Sequence, residues 1–122
     1  MRIILSALAL LSATSAGAAT PPSAAATHDI QCFILFSAGA EGARDQEKTA
    51  ALMGITYFYA KLRTHSPNLD IAQAALEQAR ILEGSDAEKI GGDCDTEFQN
   101  VGKELITVGQ SMEKAEQARS GS

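Results

Sequence analysis

The sequence predicts an all-α fold, a small four- to five-helix bundle closed by one disulfide. Three observations predict it. Apolar residues recur at helical spacing along the chain, and no apolar/polar alternation lasts beyond a few positions or is punctuated by a hairpin dipeptide such as Asn-Gly. Short helical stretches are bounded by residues that start and stop helices. The chain also carries only two cysteines, Cys32 and Cys94, behind what reads as an export signal, and exported cysteine pairs are normally oxidised.

The first element is the signal itself. Arg2 precedes an apolar stretch from Ile3 to Leu11, and small residues follow up to Ala16-Gly17-Ala18, the pattern of a secretory signal with a small-x-small cleavage site. The apolar stretch is far short of the roughly 20 residues that span a bilayer, so removal after Ala18 is expected and no membrane anchor is. A lipoprotein would need its cysteine directly after the signal, whereas Cys32 follows Asp29-Ile30-Gln31. The organisation expected is therefore signal peptide 1–18, disordered lead-in 19–28, helical domain 29–117 and disordered tail 118–122. Removing 18 of 122 residues leaves 104, one compact domain and not two.

Charge narrows the partners. Of 10 Lys and Arg, Arg2 leaves with the signal, so 9 face 15 Asp and Glu for a net charge of −6 in the mature chain. That balance repels nucleic acid and anionic headgroups, and its charges are interspersed as on an ordinary solvated surface. The localisation expected is the periplasm or the exterior.

Within the domain, "DIQCFILFSAGAEG" predicts a first helix capped by Asp29 and ended by the Gly39 to Gly42 region. "DQEKTAALMGITYFYAKLRTH" predicts a second, capped by Asp45, with Leu52, Ile55, Tyr59 and Leu62 on one face. "SPNLDIAQAALEQARILEG" predicts a third, with Ser66 as cap, Pro67 in the first turn, Gly84 past the end, and a stripe of Leu69, Ala72, Leu76, Ala79 and Leu82 or Glu83. The capping box Ser85 to Glu88 predicts a brief fourth helix that stops at Gly91-Gly92. Phe98, Val101, Leu105, Val108 and Met112, spaced 3, 4, 3 and 4, predict a last helix capped by Asp95 or Thr96.

Cys94 could be a nucleophile, a metal ligand or half of a disulfide. Two cysteines allow one intramolecular connectivity, Cys32 to Cys94. A nucleophilic thiolate would be disfavoured by Asp93 and Asp95, and neither His28, in the lead-in, nor His65, at a helix end, is placed to activate it. From Asp93, side chains at positions 1, 3, 5, 7 and 12 (Asp93, Asp95, Glu97, Gln99, Glu104) partly mimic an EF-hand calcium loop. Phe98 stands where that loop needs its turn glycine, so the carboxylates read as an acidic first turn favoured by the helix dipole. Two cysteines and two scattered histidines lack zinc-ligand spacing. No metal and no cofactor is expected.

The second helix carries another line, Met53, Tyr57 and Lys61, opposite its stripe. A helix apolar on two faces is either central in a bundle or bears a contact surface. Central burial is the reading adopted for it, with Met53 and Tyr57 as the candidate partner surface otherwise. Gly102 and Gly109 flank the last stripe, where they permit close packing of another helix or, as the functional alternative, a weak homodimer seam. Phosphate loops, dinucleotide fingerprints and nucleophile elbows are missing from the sequence, and with them any catalytic constellation.

"D-x-Q-C" at Asp29, Gln31 and Cys32, the "Tyr-Phe-Tyr-Ala-Lys-Leu" helix, and "Cys-x-x-x-Phe-x-x-x-Gly" at Cys94, Phe98 and Gly102 resemble the small exported two-cysteine helical proteins of alphaproteobacteria. That family implies no activity. A more distant resemblance is to periplasmic acid-stress chaperones of the HdeA type, which are also small, helical and exported, with one cysteine in an early helix bonded to another ahead of the last. Here the cysteines lie further apart, and "SMEKAEQARSGS" mixes signs where those chaperones have a basic tail. The function expected is non-enzymatic: binding a protein or small molecule, or protecting the envelope, with the acid-stress chaperone as alternative and a small-ligand protein or enzyme as a further one.

Overall fold

The computed structural model describes residues 20–83 and 86–122. They form four helices, α1 (Ala24–Ala40), α2 (Asp45–His65), α3 (Ile71–Leu82) and α4 (Ala87–Ser120), with no strand among the described residues. The signal segment and the Ser85 cap lie outside them.

α1 is the centre. It packs on α2 most extensively and also on α3 and α4. Its sequence explains the position, because Ile30 and the run from Cys32 to Phe36 present apolar side chains all round the helix. Ser23 starts α1 by accepting a 3.1 Å bond from the Ala26 amide. The expected cap, Asp29, lies inside the helix instead and is buried. Residues 24–28, expected in a disordered lead-in, are its first turn and a half. Glu41 ends it, and Gly42 at φ +76° turns the chain toward α2.

The ends of α2 are as expected, but its cap is not. Arg44 occupies the N-cap without a side-chain bond, and Asp45 is the first helical residue at φ +53°, a left-handed conformation that Asp tolerates. Its buried line is Ala51, Gly54, Phe58 and Leu62. Of the expected stripe, Leu62 is buried and Ile55 half-buried, while Leu52 and Tyr59 are exposed. The expectation that α2 is the central helix is therefore corrected: α1 takes that place and leaves one face of α2 uncovered.

α3 starts later than expected, with Asp70 rather than Ser66 as cap, its side chain accepting from the Gln73 amide at 3.0 Å. It buries Ile71, Ala74 and Leu82, whereas Ala72 and Leu76 of the expected stripe face out. Gln31 of α1 donates to Gln78 of α3 at 3.1 Å.

α4 runs unbroken through Gly91-Gly92, so no separate short helix exists between Ala87 and the glycines, and neither Asp95 nor Thr96 is a cap. Gly91 lies against α1, where an added Cβ would sit 3.8 Å from Leu35. The helix continues to Ser120, into the segment expected to be a disordered tail.

Two clusters make the core. Ala26, Ile30, Leu62, Ile71 and Ala74 join α1, α2 and α3, while Cys32, Phe58 and Cys94 join α1, α2 and α4 beneath Phe36, Tyr57, Ile90 and Phe98. The disulfide is formed as the sequence predicts, Cys32 to Cys94 with S–S 2.03 Å and both residues fully buried. At Gly54 α2 lies close against α1, since a Cβ there would run into the Phe36 ring, itself packed on Phe58 and Phe98 at centroid distances of 5.6 and 5.3 Å.

A pair of substitutions tests that packing by sign. Gly54→Ala gains about 1 kcal/mol of helix propensity but incurs an overpacking cost of roughly 1 to 3 kcal/mol, so it should lower stability. Gly92→Ala meets nothing within 4 Å and should raise stability by up to about 1 kcal/mol in the same denaturant titration.

Candidate functional site

Where α1, α2 and α4 converge, side chains distant in sequence form one polar node. Lys61 of α2 donates to Asp29 of α1 at 2.7 Å and to Glu97 of α4 at 2.5 Å. Tyr57, one turn before Lys61, donates its hydroxyl to the same Glu97 oxygen at 3.1 Å. His28 Nε2 lies 3.0 Å from the other oxygen of Glu97 and 3.5 Å from the Cys32 sulfur. The Lys61 ammonium also sits 5.5 Å from the ring centroids of both Tyr57 and Phe58, within cation–π range. The disulfide sets this geometry, because Cys94 is one turn before Glu97 and Cys32 one turn after His28.

The node's electrostatics favour the ionised forms of Glu97 and Lys61 and the neutral form of Tyr57. Burial pushes the Glu97 carboxyl up, but hydrogen bonds from Lys61, His28 and Tyr57 outweigh it and hold the group below the usual glutamate value. Burial likewise works against the Lys61 ammonium, yet its bonds to Asp29 and Glu97 leave it above the usual lysine value. Burial and the bond to Glu97 raise the Tyr57 phenol. All three move away from neutrality, opposite to the shifts that make a general acid or base at neutral pH.

Cation chemistry meets an obstacle of the same kind. Ligand atoms of His28, Asp29 and Glu97 lie within 4.8 Å of one another, but the Lys61 ammonium already bridges both carboxylates. The other grouping, His28 with Cys32 and Cys94, offers sulfurs bonded to each other rather than thiolates. Asp93, Asp95, Glu97, Gln99 and Glu104 stand on helix α4, not on a loop, with Asp93 paired to Lys89 and Asp95 accepting from Gln99. The calcium-loop spacing is a coincidence of helical residues.

Beside the node opens an apolar groove of about 450 Å³, walled by Leu52, Met53 and Tyr57 of α2 and by Phe98, Val101 and Leu105 of α4. The structure thus places Met53 and Tyr57, the sequence-derived surface pair, on one wall: Met53 is exposed, and Tyr57 is half-buried with its hydroxyl turned to the node. Beyond the groove α4 leaves the body. Every residue from Lys103 onward is exposed, including Leu105 (64%) and Met112 (68%). Packing against α1 or α2, expected around Gly102 and Gly109, does not occur, and nothing lies within 4 Å of a Cβ built on either.

Sequence reasoning missed the node. From the sequence, His28 falls in the lead-in, Asp29 reads as a cap and Glu97 as a helix-dipole charge. The available signal was the line Met53, Tyr57 and Lys61, which ends in a cation on an otherwise apolar helix face. No family model, no curated protein and no solved structure matches the chain. No helix among the described residues is long and apolar enough to cross a membrane.

Proposed function

We propose that this is an exported, non-enzymatic binding protein of the periplasm or exterior, which holds apolar segments of other proteins in the α2/α4 groove and thereby protects them. The observation that carries the reading is the groove with its uncovered continuation along α4, an apolar surface beside which the Glu97, Lys61 and Tyr57 side chains are shifted away from proton transfer at neutral pH. The buried disulfide fits an oxidising compartment. The test is binding of an unfolded client and of an environment-sensitive apolar dye to the oxidised protein at neutral pH. Met53→Asp should weaken client binding at least about tenfold, equivalent to about 1.4 kcal/mol, with the fold intact because Met53 is exposed. Equal binding by wild type and Met53→Asp would remove the groove from the account.

A second reading, an acid-stress chaperone of the HdeA type, is favoured by the node. An ionised carboxylate, Glu97, helps hold α4 on α1 and α2, so acid acts directly on that junction. Protection of an acid-labile enzyme from aggregation at low pH, present at pH 2 to 3 and missing at neutral pH, separates this reading from the first.

A further inference from the structure

We propose that the uncovered half of α4 is a self-association surface: two copies pair antiparallel through α4 about a two-fold axis passing between Ile106 and Thr107. The stripe contains that symmetry. Counted outward from the axis, Leu105, Val101 and Phe98 fall opposite positions 108, 112 and 115, which are Val108, Met112 and Ala115. Each layer then joins a side chain near or within the body to one on the free half: Leu105 with Val108, Val101 with Met112, Phe98 with Ala115. This is the layer arrangement of an antiparallel coiled coil, and it lays the free end of each copy along the other's α2/α4 groove, so the dimer is the closed form and a client takes the groove of the monomer.

Length and area agree with that occupant. The free stretch, Lys103 to Ser120, is about 27 Å long, and in this register it covers the α4 segment that begins near the disulfide. Leu52, Met53, Leu105, Val108 and Met112 each expose about half or more of their surface, together on the order of 500 Å² per copy, against the roughly 800 Å² per partner of a standard interface, as suits a reversible pair.

Two more observations favour a second copy. The free stretch carries three cations, Lys103, Lys114 and Arg119, and three anions, Glu104, Glu113 and Glu116, so within a chain of net charge −5 it brings no net negative charge against the acidic first half of the other copy's α4. Gly102 and Gly109 each weaken an exposed helix by about 1 kcal/mol relative to Ala and serve no packing within one copy. In the antiparallel pair Gly102 of one copy comes beside Gly109 of the other on one flank, where the missing side chains let the helices approach closely.

The pairing does not depend on client binding, and it is measured on the pure oxidised protein with no client present. Sedimentation equilibrium between about 1 and 200 µM should show a reversible dimer, with Val108→Glu raising its Kd at least about 100-fold while helicity and melting temperature, compared at concentrations where wild type is monomeric, are unchanged. The register is read by introduced cysteines. Val101→Cys and Met112→Cys copies, mixed under oxidising conditions, should cross-link to each other and not to themselves. A wild type that is monomeric throughout the range overturns the proposal and assigns the α4 stripe to a different protein. Self-linking of Val101→Cys copies overturns the antiparallel geometry, and a dimer indifferent to Val108→Glu overturns the seam. Failure of clients to bind at concentrations where the protein is monomeric would defeat the proposed function alone.

Discussion

Removal of the Cys32–Cys94 bridge, as the Cys32→Ala/Cys94→Ala double variant, is expected to lower stability by about 4 kcal/mol and to lower the melting temperature by roughly 15 to 30 °C. The bridge closes a separation of 62 residues, so its loss restores much chain entropy to the unfolded state. Its effect is also concentrated in one place. α4 meets the body through its first half, at Ile90, Gly91, Cys94, Glu97 and Phe98 among others, and every residue from Lys103 onward is exposed. The α1/α2/α3 cluster of Ala26, Ile30, Leu62, Ile71 and Ala74 contains no part of α4. Unbridged protein should therefore lose α4 first, and hydrogen exchange should show amides from Ile90 to Val101 opening at lower denaturant than those of α1. Simultaneous opening of all four helices would mean that the aromatic contacts of Phe98, not the bridge, hold α4.

What the sequence made legible depends on the range of the interaction involved. The limits of α2 and the identity of the disulfide could be read, because one rests on local punctuation around Asp45 and Ser66 and the other on a single available pairing. The buried faces could not. α2 buries Ala51 and Gly54 ahead of Phe58, and small residues carry little hydropathy, so the larger Leu52 and Tyr59 drew the stripe to the wrong side. Choosing between two helices as the central one required noticing that residues 32 to 36 are continuously apolar, a pattern that buries a helix on all sides. Gly91-Gly92 resembles a break, but tertiary packing against Leu35 and the adjoining disulfide override the propensity there. The node lay furthest out of reach. His28 and Glu97 are 69 positions apart, and Lys61 and Glu97 are 36 apart, so only the packed helices bring them together.

Acid should open the same junction that the bridge holds. Glu97 has a folded pKa below its usual value, so its contribution to stability is full above the unfolded pKa of about 4.3 and disappears as pH falls through the lower folded value. The raised Lys61 has the opposite sense: its contribution is full at low pH and is lost only as pH rises above about 10.4, so it does not cause the acid transition. As carboxylates protonate, 10 Lys and Arg and 2 His are left without opposing charge, and repulsion adds to the loss of the Glu97 bonds. The oxidised protein at pH 2 to 3 should keep α4 tethered through Cys94 while exposing Phe98 and Tyr57, seen as increased binding of an apolar dye with much of the far-ultraviolet helical signal retained. Lys61→Met provides the control at both ends of the range. It leaves Asp29 buried without its cation, which should lower stability at pH 7 by roughly 2 to 4 kcal/mol, the lower end reflecting the partial exposure of Lys61 and Glu97. It also removes the strongest bond that holds the Glu97 carboxyl down, so less stability should be lost between pH 7 and pH 3 than in wild type. A Lys61→Met protein that loses as much stability over that range as wild type would show that the node does not govern the transition. If wild type opens on schedule but fails to keep an acid-labile enzyme soluble, the opening has no chaperone function, and client binding at neutral pH is left as the role of the groove.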